Sequence, residues 1–339
     1  MSNLRLVMPL AIIGAALAVA PTPLLAETKP PAAETAEAPS TPAEASLAVG
    51  ALQVGSAPGL EVAGFDISVA TNGIVYSYYF KNADTADLTV AATLTLPELS
   101  ASTDGTETWA LPKHDAENFV DLSITAGGSP VTTKAEVHAN ALGLDRLAEI
   151  KAEHLPLIPF GADVAKALAG LAPEAADRLA ALGIISPRDP AQPKEPLTAD
   201  WSLNVVRSWR QVLPAGKTTP IVIKFAPVAA HYHLVKGNED DLNDVKDELC
   251  LKPPMLNTLQ SRLKGNGAWN VTDISLADDA PARWIDSPAA TLSVQKPKPD
   301  AIVVFCGIDE KTAGKPTVLG TAPDENDGIR IVIFEPVAK

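Results

Sequence analysis

Apolar side chains recur at every second position along much of this chain, and that period limits those stretches to strands with one buried face. Oily residues recur with period two from Leu60 through Val62 to Val69, a β-branched and aromatic run extends from Ile74 to Phe80, and period two returns at Leu88, Val90, Ala92, Leu94 and Leu96. Asn72-Gly73 between the first two runs predicts a hairpin. The three runs together predict a three-stranded meander with one face on a core. Val120 to Thr125 and Val131 to Val137 predict a second hairpin, turning at Gly127-Gly128-Ser129.

Between Leu142 and Ile185 the period becomes helical. Leu144 and Leu147 open one short helix that stops before Pro156; Val164, Leu168 and Leu171 make a second, with Asp163 as its cap; Pro173 starts a third that ends at Leu182-Gly183. Short, alanine-rich amphipathic helices build a weak core alone, so this block is expected to fold down onto a sheet. Strands resume from Trp201 to Leu213 and from Thr219 to Ala226, read as a hairpin joined at Pro214-Ala215-Gly216-Lys217. Helical stretches around Leu242 to Leu249 and Met255 to Leu263 precede strands at Trp269 to Leu276, Ala290 to Val294, Ala301 to Cys306 and Ile329 to Phe334. Strands on both sides of a helical block, without regular strand–helix alternation, favour antiparallel sheets. The expected fold is mainly β (α+β), an antiparallel β-sandwich architecture with an inserted short-helix segment. The 30 prolines gather in connections such as Pro187 to Pro196, which suits many short elements.

Residues 1–26 read as a signal peptide, because Arg5 is the only charged side chain before Glu27 and an apolar run extends from Leu6 to Val19. A membrane span needs about 20 apolar residues, whereas this run is shorter and carries Pro9 and Gly14. Cleavage is expected after Ala26; Ala18-Val19-Ala20 fits the small-residue rule but is followed by Pro21, and an uncleaved anchor is the other reading. Residues 27–46 form an Ala/Pro/Glu tether with no large apolar side chain, too poor in core material to offset ordering entropy. An N-terminal β region at 47–140, a helical insertion with its Pro-rich connection at 141–196 and a C-terminal β region at 197–339 complete the expected organisation. The expected location is periplasmic or secreted, with no membrane span after cleavage.

Net charge is −14, and cleavage removes one of 27 basic residues against an unchanged 41 acidic ones, leaving −15. An acidic surface repels phosphate backbones and anionic headgroups, which argues against nucleic-acid and membrane-surface binding. Cys250 and Cys306 are the two cysteines. In an oxidising compartment they predict one disulfide. A redox pair lacks the Cys-x-x-Cys spacing, and two buried free thiols are the remaining reading.

Motifs that carry chemistry are mostly wanting. Gly216-Lys217-Thr218 imitates the end of a phosphate loop, but Gln211 stands where the first glycine must let the backbone wrap a phosphate. Asp324, Asn326 and Glu335 echo a calcium loop whose turn glycine is displaced, since Gly328 falls one place early. His231-Tyr232-His233 puts two imidazoles on one side of a strand, close enough to share a metal ion, with Glu239, Asp240, Asp241 and Asp244 nearby. A polar strand end followed by a hydrated acidic loop explains the same residues without a ligand. His114, His138 and His154 are isolated in sequence, and Trp201 and Trp209 alternate in phase, as core residues or as an aromatic platform. No catalytic residue and no cofactor is assigned, and metal is confined to His231 and His233 as candidates.

Gly50-Ala51-Leu52 through Phe65-Asp66-Ile67-Ser68, then Tyr79-Phe80-Lys81-Asn82 and Leu94-Thr95-Leu96-Pro97, followed by Trp209-Arg210-Gln211-Val212-Leu213-Pro214-Ala215-Gly216, Cys250 and Val304-Phe305-Cys306-Gly307, resemble an exported bacterial family known only as a domain of unknown function, DUF four-four-two-four. The chain departs from that pattern at Thr95-Leu96-Pro97, where the family has an aromatic–proline pair. The resemblance implies export and the fold, and carries no catalytic residue across. The expected function is a non-enzymatic binding or assembly module of the bacterial envelope, its partner an envelope protein or ligand. A metal-dependent hydrolase using His231 and His233, and a purely structural envelope component, are the alternatives.

Overall fold

The two-residue period becomes strands that bury alternate positions, as in Gly73–Asn82, where Ile74, Tyr76, Tyr78 and Phe80 point inward. The computed structural model describes residues 46–101, 109–188, 191, 195–276, 290–306, 317–318 and 329–337. The leader, the tether before Ser46 and the positions of Asp324 and Asn326 lie outside them. In chain order come β1 (Ser46–Leu47), β2 (Gln53–Val54), β3 (Leu60–Ala70), β4 (Gly73–Asn82), β5 (Leu88–Thr95), β6 (Leu99–Ser100), β7 (Trp109–Ala110), β8 (Ser123–Ala126), β9 (Ser129–Pro130), β10 (Lys134–Ala141) and β11 (Leu144–Asp145). Helices α1 (Leu147–Ala152), α2 (Ala162–Ala169) and α3 (Pro173–Ala181) follow, then β12 (Ser202–Leu213), β13 (Thr218–Phe225), β14 (Ala229–Leu234), α4 (Asp241–Asp244) and α5 (Pro253–Lys264). The chain continues through β15 (Trp269–Leu276), β16 (Ala290–Val294), β17 (Ile302–Cys306), β18 (Thr317–Val318) and β19 (Ile329–Pro336).

Among the described residues these strands form three sheets, all pairings antiparallel except β1 with β15 and β16 with β3. Sheet 1 runs β18-β16-β3-β4-β13-β8-β9, sheet 2 runs β11-β10-β12-β5-β2 with β6 beside β12, and sheet 3 runs β17-β19-β15-β14-β7 with β1 beside β15. One face of each sheet lines a shared apolar core, which includes Phe65 and Tyr78 of sheet 1, Leu94 and Val205 of sheet 2, and Ile274 and Ile331 of sheet 3. The fold is therefore mainly β and antiparallel. Each sheet draws strands from both sides of the helical block.

Three expected pairings and one turn position are corrected. The hairpin of β3 and β4 closes on Thr71-Asn72, since Ala70 stands opposite Gly73. The third strand of the meander, β5, leaves for sheet 2 and pairs with β12, because β13 occupies the edge of β4. The glycine turn does join β8 to β9, with Gly127 and Gly128 at φ 55 and 83, but β10 crosses to sheet 2. Likewise β12 and β13 are not a hairpin: the Pro214 turn carries the chain from sheet 2 to sheet 1. The two sheet-changing corners are tied to each other. Buried Asn82 donates to Leu213 O at 2.8 Å and Ala86 O at 2.9 Å and accepts from Asp84 N at 2.9 Å, while Ala215 N donates to Asp87 Oδ1 at 2.9 Å.

The helical block folds onto one end of sheet 2, where Ile150, Leu168 and Leu179 meet Ala139, Ala141 and Trp201 in a second apolar cluster. Pro173 opens α3 as expected. Helix α2 starts two residues earlier than the expected Asp163 cap allows, with Gly161 at the N-cap at φ 94; Asp163 sits in the first turn, where its charge suits the helix dipole. Leu144 belongs to β11 rather than to a helix. Helices α4 and α5 cover the far face of sheet 3, packing Leu242, Leu259 and Leu263 against Trp269, Val271 and Phe334. Burial on both faces is why β19 reads as a nearly unbroken apolar run.

Tyr76 is enclosed by Phe65, Tyr78 and Phe225 at ring-centroid distances of 5.9, 6.4 and 5.2 Å, and its hydroxyl meets no partner among the described residues. A buried, unbonded hydroxyl costs free energy, so Tyr76→Phe is expected to leave stability unchanged or raise it by about 1 kcal/mol. Urea unfolding checks this; a loss of about 1 kcal/mol or more would mean that the hydroxyl is bonded in solution.

Candidate functional site

The solvent side of sheet 2 is polar because the alternation that buries Leu203 and Val205 turns Ser202 and Asn204 outward. Register sets Ser100 opposite Ser202, Ser202 opposite Asn140, and Asn140 opposite Asp145, giving a row of short polar side chains across four strands. At the end of this row lies a cleft of about 550 Å³. Its wall is a short ladder in which Ser186 N donates to Thr198 O at 3.0 Å and Asp200 N to Ile184 O at 2.9 Å. There the Ser186 hydroxyl reaches both Asp200 oxygens, at 2.9 and 2.8 Å. Glu98 adds a second carboxylate, and the described lining includes no Lys, Arg or His. Trp201 closes the base, buried, with its indole N–H donating to Leu157 O at 2.8 Å.

Leu142 forms the lip of this cleft. It and Gly143 are the two turn residues between β10 and β11, at φ 50 and 76, positions that ordinarily favour Asn-Gly. A leucine held in the left-handed region costs about 1–2 kcal/mol, yet its side chain is 81% exposed. It leans over Gly183, where an added Cβ would collide with its Cδ1.

His138, isolated in sequence, is not isolated in space. Its Nδ1 lies 2.8 Å from Asp145 Oδ2 and its Nε2 3.1 Å from Glu136 Oε1. The hydrogen bond to Asp145, then that to Glu136, raise its pKa above the ordinary 6.5, and the same His138 bond lowers that of Asp145 from its ordinary 3.8. Asp145 Oδ1 also accepts from Leu147 N at 3.0 Å, tying the start of α1 to the turn. A raised histidine contributes stability that is complete below its unfolded pKa and lost as pH climbs through the folded one; a depressed aspartate contributes above its unfolded pKa and loses it as pH falls through the folded one. Protection of the β10–β11 turn is therefore expected to peak between the ordinary values 3.8 and 6.5. Exchange protection factors of the Ala139 and Arg146 amides and an NMR titration of His138 check this; an imidazole titrating at or below 6.5 contradicts it.

The other sequence candidates fall elsewhere. His231 and His233 take register positions on β14 opposite Thr272 and Asn270 of sheet 3, far in topology from the cleft. His233 Nδ1 lies 2.8 Å from Asn270 Oδ1. The acidic loop holds itself together: Glu239 accepts from Gly237 N at 2.8 Å, and Asp241 from the Asn238 amide at 2.8 Å. Among the described residues no three His, Cys, Asp or Glu side chains gather as a metal site. Trp201 and Trp209 pack in different apolar clusters rather than on one platform. His114 lines a hollow of about 440 Å³ with Ile158 and Phe160, and His154 an open depression of about 460 Å³ with Glu153 and Asp163. Cys250 and Cys306 are joined as a disulfide, with Cα atoms 5.6 Å apart. The cleft residues escaped sequence reasoning because single serines, an asparagine and two acids from separate segments form no motif. Glu136 and His138, two apart on one strand, were the one local signal of the histidine cluster.

A family model described as Domain of unknown function (DUF4424) matches residues 42–324. The chain belongs to this family. The DUF4424 match spans the cleft, His138 and both cysteines. A solved Legionella pneumophila structure, from a protein provisionally named a nutrient binding protein, shares 10% identity at a TM-score of 0.35. The alignment covers 86% of this chain and 70% of that one, a likeness too distant to inform function. No curated protein matches this chain.

Proposed function

We propose that this DUF4424 chain is an exported, non-enzymatic binding or assembly module of the bacterial envelope, periplasmic or secreted, whose ligand site is the cleft at the end of sheet 2. The observation that carries this is the convergence of Ser100, Asn140, Ser186, Asp200 and Ser202 on one hollow of about 550 Å³. A concavity of that size with a few polar groups on a rigid scaffold suits a small ligand. Binding is favoured over chemistry because Ser186 donates to a carboxylate, a base too weak to activate a serine hydroxyl. Export is supported by the leader-like residues 1–26 and by the pairing of both cysteines.

Native mass spectrometry of protein purified from its own host tests the proposal. The expected spectrum shows a small-molecule adduct that Ser202→Phe, which fills the cleft, abolishes without lowering the melting temperature. An adduct that survives the filled cleft would place the ligand elsewhere and overturn the assignment.

A further inference from the structure

We infer that the cleft takes a small organic cation, an aliphatic amine with a short hydrocarbon segment; this rests on the cleft being the ligand site. Carboxylates only accept hydrogen bonds, and each offers about four lone-pair positions. Asp200 therefore retains accepting capacity after taking the Ser186 hydroxyl on its two oxygens. Glu98 approaches from a different segment, next to β6, and no cationic side chain lines the described cleft to neutralise either group.

A ligand that brings its own N–H donors and positive charge satisfies these acceptors. One that brings negative charge meets repulsion from both carboxylates and from a chain of net charge −14. The lip supplies the second part of the recognition. Leu142, 81% exposed in a left-handed turn, together with Ala101 and Ala199, presents carbon surface to the same hollow that holds the carboxylates. Methylenes of an amine-bearing chain would cover that surface while the ammonium meets Asp200 or Glu98. The volume admits a molecule of this kind with room for ordered water.

An isosteric series separates charge from shape: 1,5-diaminopentane, 1,5-pentanediol and glutarate, each titrated into the mature full chain at low and at physiological salt. Calorimetry gives the affinity, and the amide resonances of Asn140, Ser186, Asp200 and Ser202 report the place. Diaminopentane is expected to bind with an affinity that falls with salt, the diol at least about tenfold more weakly and glutarate not detectably. Asp200→Asn with Glu98→Gln should weaken the diamine by about tenfold or more, whereas Asp300→Asn, an exposed acid away from the cleft, should leave it unchanged. Equal weakening by Asp300→Asn would reduce the effect to bulk charge and overturn the inference. Diol or glutarate binding as well as the diamine would overturn the charge assignment and leave the cleft standing as a ligand site. No movement of any cleft resonance by any of the three would overturn the inference, while the loss or survival of the native adduct in Ser202→Phe decides the cleft itself.

Discussion

Replacing Asp273 by alanine is expected to cost about 3 kcal/mol of folding free energy, because it removes two charge-assisted hydrogen bonds from the packed layer over sheet 3. Asp273 is 1% exposed and Arg330 21% exposed; Arg330 Nε donates to Oδ1 at 2.9 Å and Nη2 to Oδ2 at 2.6 Å. The pair sits on the face that carries Trp269 and Val271, with Val332 opposite Asp273 in register. Desolvating two ions is costly, so the pair adds little beyond an apolar substitute, but removing Asp273 takes away both hydrogen bonds that Arg330 makes to it. Urea unfolding of Asp273→Ala, Arg330→Met and the double variant measures this. The double should be less destabilised than the sum of the singles; strict additivity, or a cost for Asp273→Ala below about 1 kcal/mol, would mean that the pair is not coupled.

Opening the Cys250–Cys306 bond is the second large effect. The bond closes a loop of 56 residues, from the α4–α5 connection to the end of the edge strand β17. In the chain-entropy account such a closure stabilises by about 4 kcal/mol, with measured values often lower. Cys306→Ser, or reduction of the native protein, is thus expected to lower the melting temperature by roughly 6 °C for a chain of this size. The loss should appear first at α4 and α5, whose apolar side chains Leu242, Leu259 and Leu263 are held against sheet 3 beside the bridge. Two titratable thiols in protein never exposed to reductant would contradict the bond, and reduction without loss of stability would contradict its role.

Several features were legible from residues alone. The strands of β3, β4 and β5 fall where the alternation puts them, and Pro173 opens a helix. The errors were errors of partnership. Leu88 to Leu96 reads as the third strand of a meander, yet its neighbour is β12, more than a hundred residues away. Both edges of a strand present the same backbone donors and acceptors, so period tells which side chains are buried and not which strand lies alongside. The β10–β11 turn was missed because a leucine occupies a left-handed position normally given to Asn or Gly, which hid both the hairpin and the His138–Asp145 pair it creates.

Local composition and period determined strand character, the buried faces, the helical block and the possibility of a single disulfide, because each depends on side chains a few positions apart. Tertiary structure alone decided the three sheets, the tied corners at Asn82 and the cleft. Ser100, Asn140, Ser186, Asp200 and Ser202 become neighbours only when β6, β12 and β10 take adjacent places in sheet 2. That adjacency comes from long-range closure around a common core, whose free energy belongs to the assembled sheets and to no single segment.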